Sequence, residues 1–282
     1  MRTHNHKKTI WRSIVSGFLA AALVLTTCAA TFAPLSALAD ADTSKRFISQ
    51  YDSLAQMYNA EAKINVEVAA EGMVLLKNRD NALPLSRSAN VTLLGAASYN
   101  LYQGRNGTPG DGSAKVELAD SLEAVGISVN PRVQALYAQV GEGKLMDLVA
   151  SDGEVEFDGK SYVAASNGML DDAINTFKFY DDAAIITLRR TGDEGADNLA
   201  YNVPGHSDPS DHNLMLTDAE RETIAFAKQH FNKVIVLLNI PSMMEIGALK
   251  DDDAISAIVQ ISLPGSNGAA AIGKLLTGEA NF

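Results

Sequence analysis

The chain has 282 residues, 46% of them hydrophobic and 20% charged, with a formal net charge of −11 and a sequence pI near 4.9. That is ordinary globular composition, long enough for one large α/β domain or two small ones. The acidic balance, with no concentrated basic face, argues against nucleic acid as a partner and suits a protein that meets neutral substrates.

Residues 1–39 read as a separate object. Arg2, Lys7, Lys8 and Arg12 precede the apolar "IVSGFLAAALVLTT", and "ALA" at 37–39 precedes Asp40. These are the basic region, apolar region and small-residue cleavage site of a secretory signal. The apolar stretch also has the length of a retained membrane anchor. Both readings predict a secreted or cell-surface location. The sole cysteine, Cys28, lies in this segment. Residues 40–282 therefore form no disulfide and have no cysteine nucleophile.

Residues 40–59 are polar and mixed, and read as a linker or a loose N-terminal segment. "EAKINVEVAAEGMVLLKN" (61–78) places Ile64, Val68, Ala69, Leu75 and Leu76 near helical spacing, so a helix is predicted until Asn81 and Pro84 break it. "VTLLG" (91–95) is a short apolar strand, followed by the glycine-rich "GRNGTPGDGSA" (104–114). "ELADSLEAVG" is a helix with a glycine stop and "ISVNP" a strand; "PRVQALYAQVGEGKLMDLV" is a helix broken near Gly141 and Gly143. Residues 151–168 read as an irregular excursion.

Regular alternation then resumes. "LDDAINTFKFY" is a helix and "AAIITLRR" a strand, and a polar loop spans 191–216. "TDAERETIAFAKQHF" is a helix opened by a capping box of Thr217 and Glu220. "KVIVLLN" is a strand, "SMMEIGAL" a short helix, "ISAIVQIS" a strand and "SNGAAAIGKLLTG" a helix. Wholly apolar strands alternating with amphipathic helices predict an α/β fold: a mostly parallel sheet with helices on both faces, a three-layer sandwich. Functional groups of such sheets gather at the carboxyl ends of the strands.

One candidate lies at such an end. "RRTGDEGADN" (189–198) holds Asp193, Glu194 and Asp197 within five positions, with Gly192 and Gly195 around the middle acid. A general acid needs a carboxyl that stays protonated, and neighbouring negative charge penalises ionisation. Acidic loops are common, and the residues alone favour a solvated turn. The glycine loop matches neither the dinucleotide spacing nor a P-loop, so it is an anion cradle or simply a tight crossover, and no cofactor is expected. His206 and His212, among Asp208 and Asp211, match no strong metal signature and read as a solvated loop, so no metal is expected.

Six segments in order resemble the C-terminal α/β sandwich domain of glycoside hydrolase family 3, the β-glucosidase and β-xylosidase family. They are "AAEGMVLLKNRDNALPLS", "VTLLGAASYNLYQGRNGTPGDGSA", "AAIITLRRTGDEGADN", "LMLTDAERETIAFA", "VIVLLNIPSMMEI" and "AIVQISLPGSNGAAAIGKLLTGEAN". Together they assign residues 60–282 to that domain. The resemblance implies that Glu194 is the general acid/base of a retaining hydrolysis of β-linked glycosides. It implies that Asp197 orients the loop or contacts the sugar. Arg189 or Arg190 fills the family's basic position at the strand end, and Arg190 is taken as substrate-binding or loop-orienting.

The family's nucleophile is an aspartate of a (β/α)8 barrel, in a Ser-Asp-Trp-like motif. This chain matches no such motif, and its sole tryptophan is Trp11. Some members carry the sandwich first and the barrel second. The expectation is therefore the leading part of a longer enzyme, inactive alone, with a β-linked oligosaccharide as substrate and a barrel domain as partner. The alternative is a non-catalytic secreted module that binds carbohydrate or a partner.

Overall fold

The computed structural model describes residues 49–103, 115–139, 169–190, 199–203 and 205–282. The chain divides after Met57 into a short leading unit and a body, Tyr58–Phe282. The body contains a six-stranded sheet. Its strands are β1 (Val74–Asn78), β2 (Asn90–Leu94), β3 (Ser128–Val129), β4 (Ala183–Arg189), β5 (Val234–Asn239) and β6 (Ile255–Gln260). They lie in the order β1-β6-β5-β4-β2-β3. Every pairing is parallel except β1 with β6.

The helices are α1 (Leu54–Gly72), α2 (Leu118–Glu123), α3 (Pro131–Gln139), α4 (Met169–Thr176), α5 (Asp218–His230), α6 (Gly247–Asp251), α7 (Gly265–Gly268) and α8 (Ala270–Leu276). The alternation of each strand sends successive side chains to opposite faces. On one face Val91, Leu93, Ala183, Ile185, Ile235, Leu237, Ala257 and Val259 pack with Leu118 and Leu122 of α2 and Ile272 and Leu275 of α8. On the other, Leu94, Ala184, Ile186, Leu188, Val236, Leu238 and Ile258 pack with Val133 and Leu136 of α3 and Ile224 and Ala227 of α5. Both faces are covered, so the central strands contain little but apolar residues. The predicted three-layer α/β/α sandwich is the observed one. Each fully buried Leu, Ile or Val contributes about 1.5–3 kcal/mol through removal from water.

The sheet differs from the sequence reading at its edge. The helix predicted over 61–78 ends at Gly72, and Val74–Asn78 is a strand instead. It pairs antiparallel with β6, with a bulge between Leu75 and Lys77. Pairing with β6 outweighs the local helical spacing, which is a weak preference over six residues. The Lys77 ammonium then donates to the carbonyls of Lys250 and Asp252 at 2.8 and 2.7 Å, binding this edge to the end of α6. The helix α1 begins at Leu54, inside the stretch read as a linker or loose N-terminal segment. The excursion over 151–168 and the break near Gly141 lie outside the described residues.

The capping box is formed as predicted. Thr217 Oγ1 accepts from the Glu220 amide at 3.1 Å, and a Glu220 carboxylate oxygen accepts from the Thr217 amide at 2.8 Å. At the far end of the chain α8 crosses α2 closely. A Cβ at Gly273 would lie 2.1 Å from the Ser121 carbonyl oxygen, so only glycine admits this approach.

Candidate functional site

The parallel strands all point their carboxyl ends toward one edge. Chain segments leave β2, β4 and β5 there as neighbours, because these strands are paired in that order. After β2 the backbone turns at Gly95, whose φ is +83°, into a 3-10 turn over Ala96–Tyr99. Ser98 Oγ donates to the Leu94 carbonyl at 2.7 Å and accepts from the Thr187 amide at 2.9 Å. One hydroxyl thus fixes the exit of β2 against the body of β4. The segment then runs through Tyr102 and Gln103 to the glycine loop.

Asn239, at the end of β5, has no solvent exposure. Its side-chain oxygen accepts from the Tyr102 amide at 2.6 Å. Its amide nitrogen donates to the carbonyls of Tyr102 and Ser262 at 2.9 and 2.6 Å. Its own carbonyl accepts from the Arg190 amide at 3.2 Å. The approach to the glycine loop, the start of the acidic loop and the exit of β6 therefore converge on one asparagine. Sequence reasoning missed this residue. Its only signal was a polar side chain closing the apolar run "KVIVLLN".

Arg189 and Arg190 point to opposite faces, as alternation requires. Arg189 is largely buried and donates to the Asn100 carbonyl at 3.4 Å. Arg190 is 1% exposed and Glu220 fully buried. The guanidinium meets the Glu220 carboxylate with two bonds, at 2.5 and 2.7 Å. It also donates to the carbonyls of Asn213, Arg189 and Met215 at 3.0, 2.8 and 2.8 Å. A planar, five-donor cation suits this two-pronged arrangement. The arginine spans β4, the returning limb of the loop and the start of α5. Glu220 was legible in the sequence only as a capping residue.

Glu194 and Asp197 lie outside the described residues, as does the whole glycine loop 104–114. The described residues fix where both loops begin and end. Gln103 and Lys115 bracket the first, and Arg190 and Leu199 the second.

The loop that carries the histidines is exposed over 205 and 207–210, but one of the two turns inward. The His206 side chain is fully buried, with Nδ1 3.1 Å from Asp211 Oδ2. The same carboxylate oxygen accepts from Arg221 at 3.2 Å. His212 Nε2 lies 3.2 Å from Glu245, which links the loop to the segment after β5. The loop has an interior of its own, built by hydrogen bonds that composition does not reveal. Arg221 also holds Asp218 at 2.7 Å, and that hydrogen bond is the chief cause that draws the Asp218 carboxyl below the usual range. Among the described residues no three of His, Cys, Asp and Glu form a group able to hold a metal ion.

Comparison with known proteins agrees with this architecture. The chain is 27% identical over 244 residues to β-glucosidase A of Butyrivibrio fibrisolvens, covering 78% of this chain and 27% of that protein. It is 26% identical over 220 residues to a β-glucosidase of Ruminococcus albus, covering 76% and 21%. The fold is similar to β-glucosidase 3B of Thermotoga neapolitana, solved with glucose, at a TM-score of 0.59 and 22% identity, covering 79% of this chain and 30% of that one. A β-glucosidase of Paenibacillus barengoltzii gives a TM-score of 0.58 at 24% identity, covering 77% and 23%. The chain thus spans about a quarter of the length of these relatives. Residues 73–282 match the sequence profile described as the glycosyl hydrolase family 3 C-terminal domain, and the chain belongs to that family.

Proposed function

We propose that this chain is the acid/base-bearing part of a secreted, retaining β-glycosidase that removes terminal β-linked glucose or a related sugar. The observation that carries the reading is positional. In a domain matched to the family over 73–282, the acidic loop leaves β4 at the carboxyl edge of the sheet, beside the base of the glycine loop. Glu194 protonates the glycosidic oxygen as the bond breaks. It then takes a proton from the water that attacks the sugar–enzyme ester. Asp197 orients the loop or contacts the sugar. Of the two roles implied for Arg190, its burial and its bonds to Glu220 support loop orientation.

The second carboxyl belongs to a (β/α)8 barrel domain. Retaining hydrolysis needs nucleophile and acid/base about 5–5.5 Å apart, so the barrel has to meet the carboxyl edge of the sheet. Leu199, Tyr201 and Met243, which follow β4 and β5, are 52%, 67% and 77% exposed and suit such a contact. The chain by itself is a fragment of the enzyme.

The test is leaving-group dependence. With this chain joined to a barrel carrying the nucleophile, Glu194→Gln is expected to slow glycosylation by alkyl glucosides and disaccharides about 10²–10⁴-fold. Activated aryl glucosides, whose leaving groups need little protonation, are expected to lose far less in that step. Equal loss on both kinds of substrate would count against the assignment.

A further inference from the structure

The two stems on which the glycine loop stands, residues 101–103 and 115–117, carry polar atoms that the fold leaves without partners. Gln103 is 6% exposed, and its side-chain nitrogen donates to the Val116 carbonyl at 2.8 Å. That bond fixes which way the amide faces, because reversing it would set two carbonyl oxygens against each other. Gln103 Oε1 is therefore turned away from Val116, and it is buried with no donor. Oε2 of the Glu117 carboxylate is in the same state. Lys115 links the stems: its ammonium donates to the Leu101 carbonyl at 3.1 Å and lies 3.7 Å from Glu117 Oε1. Each stem is anchored from behind. Asn239 holds both the amide and the carbonyl of Tyr102. The Val116 amide donates to the Ser266 carbonyl at 3.0 Å, and the Glu117 amide to Asp120 Oδ2 at 3.1 Å.

We propose that Gln103, Lys115 and Glu117 form a binding site for the hydroxyls of a sugar. A buried acceptor without a donor is costly, and that cost is recovered when a donor arrives. Two such acceptors beside a three-donor ammonium complement a polyhydroxylated molecule, because each hydroxyl both donates and accepts. The charges select among ligands. Glu117 disfavours an anion and Lys115 disfavours a bare cation, so neutral hydroxyls fit the set best. Burial grades in the same sense. Gln103 forms the floor, while the Lys115 and Glu117 side chains, 44% and 34% exposed, form a rim open to solvent. A few convergent polar groups of this kind orient a small ligand. Because both stems are anchored by backbone hydrogen bonds, little ordering remains to be done when the ligand binds. The site needs neither Glu194 nor a barrel domain, so its test stands apart from the leaving-group test.

The experiment titrates the full chain with glucose and, separately, with cellobiose, and follows amide resonances by NMR. So few contacts correspond to a Kd of about 1 mM or weaker, so the titrations run to about 100 mM. The Gln103 side-chain amide, identified by its loss in Gln103→Glu, is expected to shift and saturate together with the Val116 and Glu117 backbone amides. Lys115→Met and Glu117→Gln alter side chains on the rim and are each expected to weaken binding at least about tenfold. Glu123→Gln, which changes an exposed carboxylate of α2, should leave the affinity unchanged. Saturation by either sugar, lost in the two rim variants, supports the site, and the tighter sugar tells a monosaccharide from a longer chain. Shifts that stay linear with concentration, or that never reach Gln103, overturn the proposal. So does binding that survives in both rim variants, or that glycerol reproduces at equal concentration.

Discussion

Asn239 has no exposure and bonds three backbone groups on two separate segments. Replacing it by alanine leaves the Tyr102 amide and the carbonyls of Tyr102 and Ser262 buried without partners. Each such group costs about 1–3 kcal/mol, offset in part where water enters. Asn239→Ala is therefore expected to destabilise the body by roughly 3 kcal/mol, a fall of about 6–12 °C in Tm by calorimetry. A change below about 2 °C would remove Asn239 from its place as the junction. Acid response also belongs to this scale. The hydrogen bond from Lys228 is the chief cause holding the Asp252 carboxyl below its usual range, and Arg221 does the same for Asp218. A carboxyl depressed in the folded state stabilises it above the unfolded value, near pH 3.9, and loses that contribution as pH falls through the folded value. Denaturant midpoints should decline below about pH 4, and Lys228→Met should flatten part of that decline. The Lys228–Asp252 pair was illegible in the sequence, because its partners meet only after α5 packs beside the turn between α6 and β6.

At the scale of elements, the parallel strands were legible and the edge strand was not. "AAIITLRR" and "KVIVLLN" are apolar throughout, which only a strand covered on both faces requires. "MVLLKN" has the same composition, but its identity as a strand depends on β6, a partner 180 residues away that local spacing cannot register. The order of strands was not stated by the sequence for the same reason. Helix contacts behave likewise. Gly273 looked like one small residue among several in "SNGAAAIGKLLTG", and the structure gives it a specific burden: the backbone of α2 passes where a Cβ would stand. Gly273→Ala should therefore force α8 away from α2 and cost about 1–3 kcal/mol or more. Gly247→Ala is the control, because a Cβ there meets nothing within 4 Å. It should leave Tm unchanged or raise it slightly, since alanine limits the unfolded chain more than glycine does. Equal effects of the two substitutions would contradict the close packing of α2 and α8.

At the scale of the whole molecule, the decisive fact is proportion. The chain covers 27% and 21% of two curated β-glucosidases, and its family match begins at Met73. The sandwich accounts for a loop-bearing edge and for the support beneath it. A retaining mechanism needs a second carboxyl about 5–5.5 Å from the first. The proposed division of labour places that group on a barrel domain, which makes the sandwich alone unable to form the sugar–enzyme ester. The acidic loop was legible as a candidate because three carboxyls and two glycines follow a buried strand. Its selection over a solvated turn came from resemblance, since no local pattern separates the two. The most direct test of the division is to purify the 282-residue chain and assay it against an activated aryl β-glucoside, where protonation of the leaving group matters least. The account predicts no turnover above the uncatalysed rate until a barrel with its nucleophile is supplied. Sustained hydrolysis at an enzymatic rate by this chain alone would contradict it.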